Sequence, residues 1–196
     1  MHAGDQIENP VTGERLVFNE TARDTNGEYT KFEAYIQPGG HLPSAHVHPY
    51  QTETFEFVSG TLSMKLNGRA VEATAGDTVV VEPGMRHYFR NNGDEVAHFK
   101  VEVRPALSIE GLMETMYGLA AAGKTNRSGV PNPLQLAVVA AEHFDTVRLP
   151  IIPVWMQRTA LAVGSRLGRL AGYSPVYEPA ALTAATAAEL ELALSA

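Results

Sequence analysis

The sequence predicts a mostly β protein, a double-sheet jelly-roll barrel that carries a C-terminal α-helical extension. Three observations carry that expectation. Between residues 28 and 104 apolar and polar residues alternate in short runs, Gly and Pro turns punctuate those runs, and after Pro105 the apolar period lengthens to that of a helix. The expected division is therefore a barrel over residues 1–104, including an N-terminal edge strand, and a helical extension over 105–196 that packs on the barrel or on a partner subunit.

The Thr12-Gly13 turn followed by Leu16 to Phe18 reads as the edge strand. Phe32, Ala34 and Ile36 then alternate with Lys31, Glu33 and Tyr35, as expected of a strand with one buried face. His46 and His48 are two apart and share a face if the chain is extended there. Pro49 breaks that strand, so the phase resets and Glu53, Phe55 and Phe57 fall on one side of the next. Leu62, Met64 and Leu66 mark a further strand, and Asn67-Gly68 is a hairpin signal leading into Arg69 to Thr74. A Val-rich strand follows Gly76. After the Pro83-Gly84 turn, His87, Phe89 and Asn91 share one face while Arg86, Tyr88 and Arg90 take the other; Ala97, Phe99, Val101 and Val103 supply one more inward face.

Beyond Pro105, Ile109, Leu112, Met113, Met116 and Leu119 follow helical spacing, with Ser108 as cap and Gly123 as stop. A second helix is expected from about Leu134 to Phe144. A third starts near Pro153, with Met156, Ala160, Val163, Leu167 and Leu170 on one stripe and Arg158, Ser165, Arg166 and Arg169 on another. The Ala-rich segment 180–196 reads as a fourth. Two roles suit these helices: packing outside the barrel, on each other or across a dimer, or lying on a membrane surface or over the barrel mouth as a lid.

Composition excludes several function classes. A formal net charge of −7 and a pI near 5.5 argue against a nucleic-acid surface, which draws on clustered Lys and Arg. With no cysteine there is no disulfide, thiolate ligand or cysteine nucleophile. No apolar run approaches the ~18 residues that span a bilayer. No secretory signal is visible at the start, so a cytoplasmic location is expected. Serine triads, phosphate-cradling glycine loops and dinucleotide fingerprints are absent from the sequence.

The chemistry concentrates in His46, His48, Glu53 and His87. Glu53 and His87 sit on the sides of their strands that also carry core aromatics, His46 and His48 share one face, and burying three imidazoles and a carboxylate without partners is costly, whereas one shared divalent cation satisfies all four. Other histidines read differently: His41 as a loop residue, His98 as outward-facing and His143 as structural. Tyr50 and Gln51, between the ligands, read equally as substrate contacts or as a simple turn.

These two clusters resemble the cupin family. Its first motif, G-x5-H-x-H-x4-E-x6-G, is met by Gly40, His46, His48, Glu53 and Gly60, and its second, G-x5-P-x-G-x2-H-x3-N, by Gly76, Gly84, His87 and Asn91. One departure exists: Glu82 stands where the family has proline, and Pro83 follows one place later. The resemblance implies a double-stranded β-helix in which His46, His48, Glu53 and His87 bind one divalent transition metal (Fe, Mn, Ni, Co or Zn), and it implies a homodimer.

Glu53 is additionally a candidate catalytic proton acceptor. Phe55, Phe57, Leu62, Met64 and Phe89 are the candidate pocket lining, which points to a small, partly apolar organic ligand or substrate. The expected function is a metal-dependent cupin enzyme, with dioxygenase-like chemistry ahead of isomerase or cyclase chemistry. The alternative is a non-catalytic metal-bearing module that binds or senses a small ligand.

Overall fold

Alternation of side chains along each strand dictates the architecture, because a strand with one apolar face must lay that face on another sheet. A computed structural model describes residues 1–177, and among these the chain forms nine strands and then three helices. The strands are β1 (Gln6–Asn9), β2 (Glu14–Glu20), β3 (Thr30–Ile36), β4 (Thr52–Ser59), β5 (Thr61–Leu66), β6 (Arg69–Thr74), β7 (Thr78–Val81), β8 (His87–Arg90) and β9 (Ala97–Arg104). One sheet has the order β1-β2-β3-β9-β4-β7 and the other β6-β5-β8, with every ladder antiparallel. The fold is a mostly β jelly-roll barrel with a helical extension.

Inward faces of the two sheets meet in one core. Phe99 of β9 lies 5.1 Å from Phe57 of β4 and 6.0 Å, edge to face, from Phe89 of β8, so aromatic packing joins the sheets as well as neighbouring strands. Leu62 and Met64 of β5 are fully buried in this core. Gly60 makes the tight passage from β4 to β5 possible: its φ is +71°, and a Cβ there would stand 2.5 Å from the Val96 carbonyl oxygen.

The N-terminal region departs from expectation. Leu16 to Phe18 belong to β2, which is hydrogen-bonded on both sides, and the edge position is taken by β1. Sequence reading passed over β1 because its four residues, QIEN, carry little apolar pattern.

Helices α1 (Ile109–Ala121), α2 (Pro133–Glu142) and α3 (Val154–Leu170) form the described part of the extension. Ser108 precedes α1 but its hydroxyl makes no capping bond, whereas Asn132 caps α2 by accepting from Leu134 N and Gln135 N. Helix α1 packs on β1, and α2 packs on α3. That last contact is close: a Cβ on Gly168 would lie 2.5 Å from Val138 Cγ2, so the two backbones approach where no side chain separates them. The apolar stripe of α3 is not its buried face: Met156 and Ala160, though they line the cavity described below, are exposed. Val163, Leu167 and Leu170 are exposed, because α3 faces α2 through Gly164 and Gly168 instead. No helix among the described residues is long and apolar enough to cross a membrane. The expected fourth helix, over 180–196, lies outside the described residues.

Candidate metal centre

The segment from Gly40 to His48 runs beside β8 without forming a regular strand. His41 bridges to Arg90 and His46 to His87, and Pro43 to Ala45 bulge between them. His46 N donates to His87 O at 3.1 Å and His87 N returns the bond to His46 O at 3.0 Å, so backbone pairing alone sets these two imidazoles side by side. His48 follows two residues later on the same side. Residues 49–51 turn the chain into β4, whose buried positions are Glu53, Phe55 and Phe57.

The three imidazoles converge: one nitrogen of each lies within 4.8 Å of the others. His46 Nε2 and His48 Nε2 are 3.1 Å apart. Glu53 enters the same cluster, with Oε2 3.0 Å from His87 Nε2 and Oε1 3.6 Å from His48 Nε2. Strand pairing thus brings all four sequence candidates to one point.

Tautomers follow from the hydrogen-bond network. His46 Nδ1 faces Ser44 O at 3.0 Å, His48 Nδ1 faces Thr146 O at 2.7 Å, and His87 Nδ1 faces Met85 O at 3.2 Å. A carbonyl only accepts, so each Nδ1 carries a proton and it is Nε2 of each ring that faces the cluster, where a ring in its neutral form presents a lone pair. Two lone pairs 3.1 Å apart repel unless something positive lies between them. The Glu53–His87 approach lacks hydrogen-bond alignment, and Glu53 Oε2 is buried without a donor. A donor set of three imidazole nitrogens and an orphaned carboxylate oxygen fits a divalent first-row cation.

Without an ion, the electrostatics favour a neutral His46 and an ionised Glu53 but draw His87 toward its protonated form. Burial, reinforced by His87 and His48, lowers the His46 pKa to about 3, which keeps the ring neutral. Burial pushes Glu53 upward, but the imidazoles of His48 and His87 outweigh it and lower its pKa to about 2. His87 is pushed down by burial and drawn up further by Glu53, so its net direction is upward.

Residues far away in sequence steady the cluster. The carbonyl that holds His48 belongs to Thr146, just past α2, and Thr146 Oγ1 lies 2.7 Å from Ser108 Oγ, which in turn lies 2.8 Å from His143 Nδ1. Val47 pairs with Arg148 through two backbone bonds of 3.0 Å. Gln51 is fully buried, places Oε1 3.2 Å from His48 Nδ1, and donates to the carbonyls of Pro105 and Ala106. It therefore braces a ligand rather than lining the pocket, whereas Tyr50 is exposed.

The cluster forms part of the wall of a cavity of about 590 Å³. Of the five expected lining residues, Phe55 and Phe89 are on this wall, while Phe57, Leu62 and Met64 are packed in the core and do not reach it. The rest of the apolar wall comes from the extension, including Met113 and Met116 of α1, Ala140 of α2, Phe144, and Met156 and Leu161 of α3. Helices α1, α2 and α3 and the segment joining α2 to α3 thus share the walls of this cavity with the barrel strands. Two polar residues that sequence reading passed over, Glu14 and Tyr117, also line the cavity. Glu14 had a signal available: it precedes Leu16 and Phe18 at steps of two and so shares their inward face.

His98 and His41 take no part. His98 Nε2 lies 2.8 Å from Glu33 Oε2 and its ring stacks on Tyr35, on the outer side of the sheet. His41 Nδ1 bonds Leu42 O, and Arg86 and Arg90 are exposed.

A family model described as "Cupin domain" matches residues 32–104. The chain is 36% identical over 72 residues to "Polyketide synthase CurC" of Streptomyces cyaneus, covering 37% of this chain and 46% of that protein. It is 35% identical over 80 residues to "Oxidoreductase macE" of Penicillium terrestre, covering 40% of this chain and 29% of that one. The chain thus spans less than half the length of either relative. Among solved structures, a predicted oxalate decarboxylase from Thermotoga maritima aligns with a TM-score of 0.47 at 19% identity, over 52% of this chain and 90% of that one.

Proposed function

The chain belongs to the cupin superfamily through residues 32–104, and from that footing we propose that it is a metal-dependent enzyme acting on a small, partly apolar organic molecule. The observation that carries this reading is the convergence of three imidazole nitrogens and a donorless carboxylate oxygen on the wall of a largely apolar cavity. His46, His48, Glu53 and His87 would hold the ion. When bound, a redox-active ion supplies dioxygen chemistry and a non-redox ion supplies Lewis-acid polarisation of a carbonyl.

The protein's own residues set the conditions for either reaction. Carbonyls of Ser44, Met85 and Thr146 fix the rings so that little reorganisation is needed at the moment of reaction. Phe55, Phe89 and Phe144 together with the methionines of α1 exclude water and orient an apolar body. Glu53, were it to swing off the ion, would free a carboxylate oxygen to accept a proton from a bound substrate. Oxygenase chemistry ranks ahead of isomerase or cyclase chemistry, a ranking supported by one relative being named an oxidoreductase.

Metal analysis of purified protein, followed by oxygen-uptake assays with enols and catechols, tests the proposal. Bound metal with turnover supports it. Tight binding of those compounds without turnover would assign the cavity to a ligand-storing or sensing module instead. His48→Ala is expected to lower metal content by more than roughly tenfold with an unchanged far-UV spectrum, and equal content in parent and variant overturns the metal assignment.

A further inference from the structure

Glu14 opens β2 on its inward face, where Leu16 and Phe18 continue the same row. A carboxyl group there has no cationic partner, because the salt bridges among the described residues leave Glu14 out. Its polar neighbours are Thr12, whose hydroxyl donates to Oε2 at 2.6 Å, and the Tyr117 hydroxyl, brought in by α1. None of the four cluster residues acts on this carboxyl, so it is a separate feature of the wall. Arg148, the cavity's one lining guanidinium among the described residues, is engaged elsewhere: Nε donates to Phe144 O and a terminal nitrogen to Asp145 Oδ1.

The site is also built to stay in place. Asn9 Oδ1 accepts from Val11 N and Thr12 N, which fixes the turn that presents Thr12. Gly13 has φ +71°, and a Cβ on Gly40, packed beside that turn, would lie 2.9 Å from Thr12 O. Leucine at position 14 would extend the apolar row at no desolvation cost, whereas a carboxyl costs free energy that Thr12 only partly offsets. Burial accordingly raises its pKa to about 7, against the hydrogen bonds from Thr12 and Tyr117. A costly, rigid polar group on a cavity wall is the pattern of a ligand-binding group.

We propose that Glu14 and Tyr117 form a second subsite of the cavity, one that hydrogen-bonds a hydroxyl or carbonyl group at the end of the substrate remote from the histidine cluster. This deepens the proposed function and rests on its small-molecule cavity, but not on the metal. A carboxyl that exchanges its proton near neutrality and a phenol can each donate or accept, so both an alcohol and a ketone are served. The substrate class is then an apolar, ring-sized body bearing oxygen at two separated positions, one for the metal and one for Glu14.

The test uses 2-naphthol and 2-methylnaphthalene, probes of nearly equal shape that differ in one hydroxyl. Both are titrated against the intact chain after chelation and again with added metal. The parent is expected to favour 2-naphthol by about tenfold, with or without metal. Glu14→Leu and Tyr117→Phe should each remove most of that preference while leaving 2-methylnaphthalene within about twofold, and Glu14→Gln should retain much of it. An unchanged preference in Glu14→Leu and Tyr117→Phe overturns the subsite, as does failure of the parent to bind either probe. A preference that appears only with metal, or that is lost in His87→Ala, places the hydroxyl at the histidine cluster and also overturns it. Should Glu14→Leu not fold, Tyr117→Phe decides alone. Loss of the subsite with metal content still dependent on His48 leaves the metal reading standing, and the converse pair of results leaves only the subsite.

Discussion

At His48 a proton sits on Nδ1 because Thr146 O, 2.7 Å away, can only accept it, and that single bond points the opposite nitrogen at the cluster. Glu14 shows the opposite use of burial. Its neighbours offer hydrogen bonds but no charge, so the protonated form is favoured and its pKa rises to about 7 from an ordinary 4.5. The folded chain therefore binds more protons than the unfolded chain between those values. The stability this group contributes is full below the unfolded pKa and is lost as pH rises through the folded one. Relative to Glu14→Gln, the parent should lose on the order of 3 kcal/mol between pH 4 and pH 8. Urea melts of both proteins across that range check it; a difference independent of pH would show that the carboxyl ionises as freely in the folded chain as in the unfolded one. The histidine cluster is common to both proteins and cancels from the comparison.

The elements matter through what they bring together. Segment 143–148 is the hinge of this arrangement: it joins Ser108 at the start of α1, pairs Val47 with Arg148 and supplies the carbonyl for His48. The hydroxyl of Thr146 anchors that peptide to Ser108 at 2.7 Å. Thr146→Val keeps the shape and removes the anchor, so metal affinity is expected to fall by about tenfold while the barrel remains folded. Competition with a chromogenic chelator measures this. Unchanged affinity would mean that the peptide is held without the hydroxyl, through the Val47–Arg148 pairing alone. Helix α3 contributes differently. Gln157 is nearly buried and donates to the carbonyls of Leu149 and Ile152, tying the preceding loop to the helix so that Met156 and Leu161 stay on the cavity wall.

Across the whole molecule, two sheets and a helical cover share one interior, and a cation would bind only when that interior is assembled. A ligand that binds the folded state alone stabilises it by RT ln(1 + [L]/Kd), about 2.7 kcal/mol at a hundredfold excess over Kd. For a chain of this size that corresponds to a rise of roughly 5–10 °C in Tm. Thermal melts with chelator, and after adding back Fe(II), Mn(II), Ni(II), Co(II) or Zn(II), test this and rank the ions. An identical Tm under every condition would argue that the cluster binds none of them.

The sequence by itself determined the strands whose faces alternate, from Phe32–Ala34–Ile36 to Phe99–Val101–Val103, because a period of two is written in adjacent residues. It singled out the four side chains as well, since His46 and His48 stand two apart and Glu53 and His87 each share a face with an aromatic that has to be buried. Only the tertiary structure decided what lies beyond the reach of local period. Whether Leu16 belongs to an edge strand or an inner one depends on β1, whose four residues carry no pattern. Whether Phe57 and Met64 line a cavity or fill the core depends on the opposite sheet. That Thr146 orients His48, and that Tyr117 stands beside Glu14, depends on a helical extension folding back over the barrel. Contacts between residues about a hundred positions apart leave no trace in neighbouring sequence, because the entropy of closing such loops is repaid by packing that only the assembled interior provides.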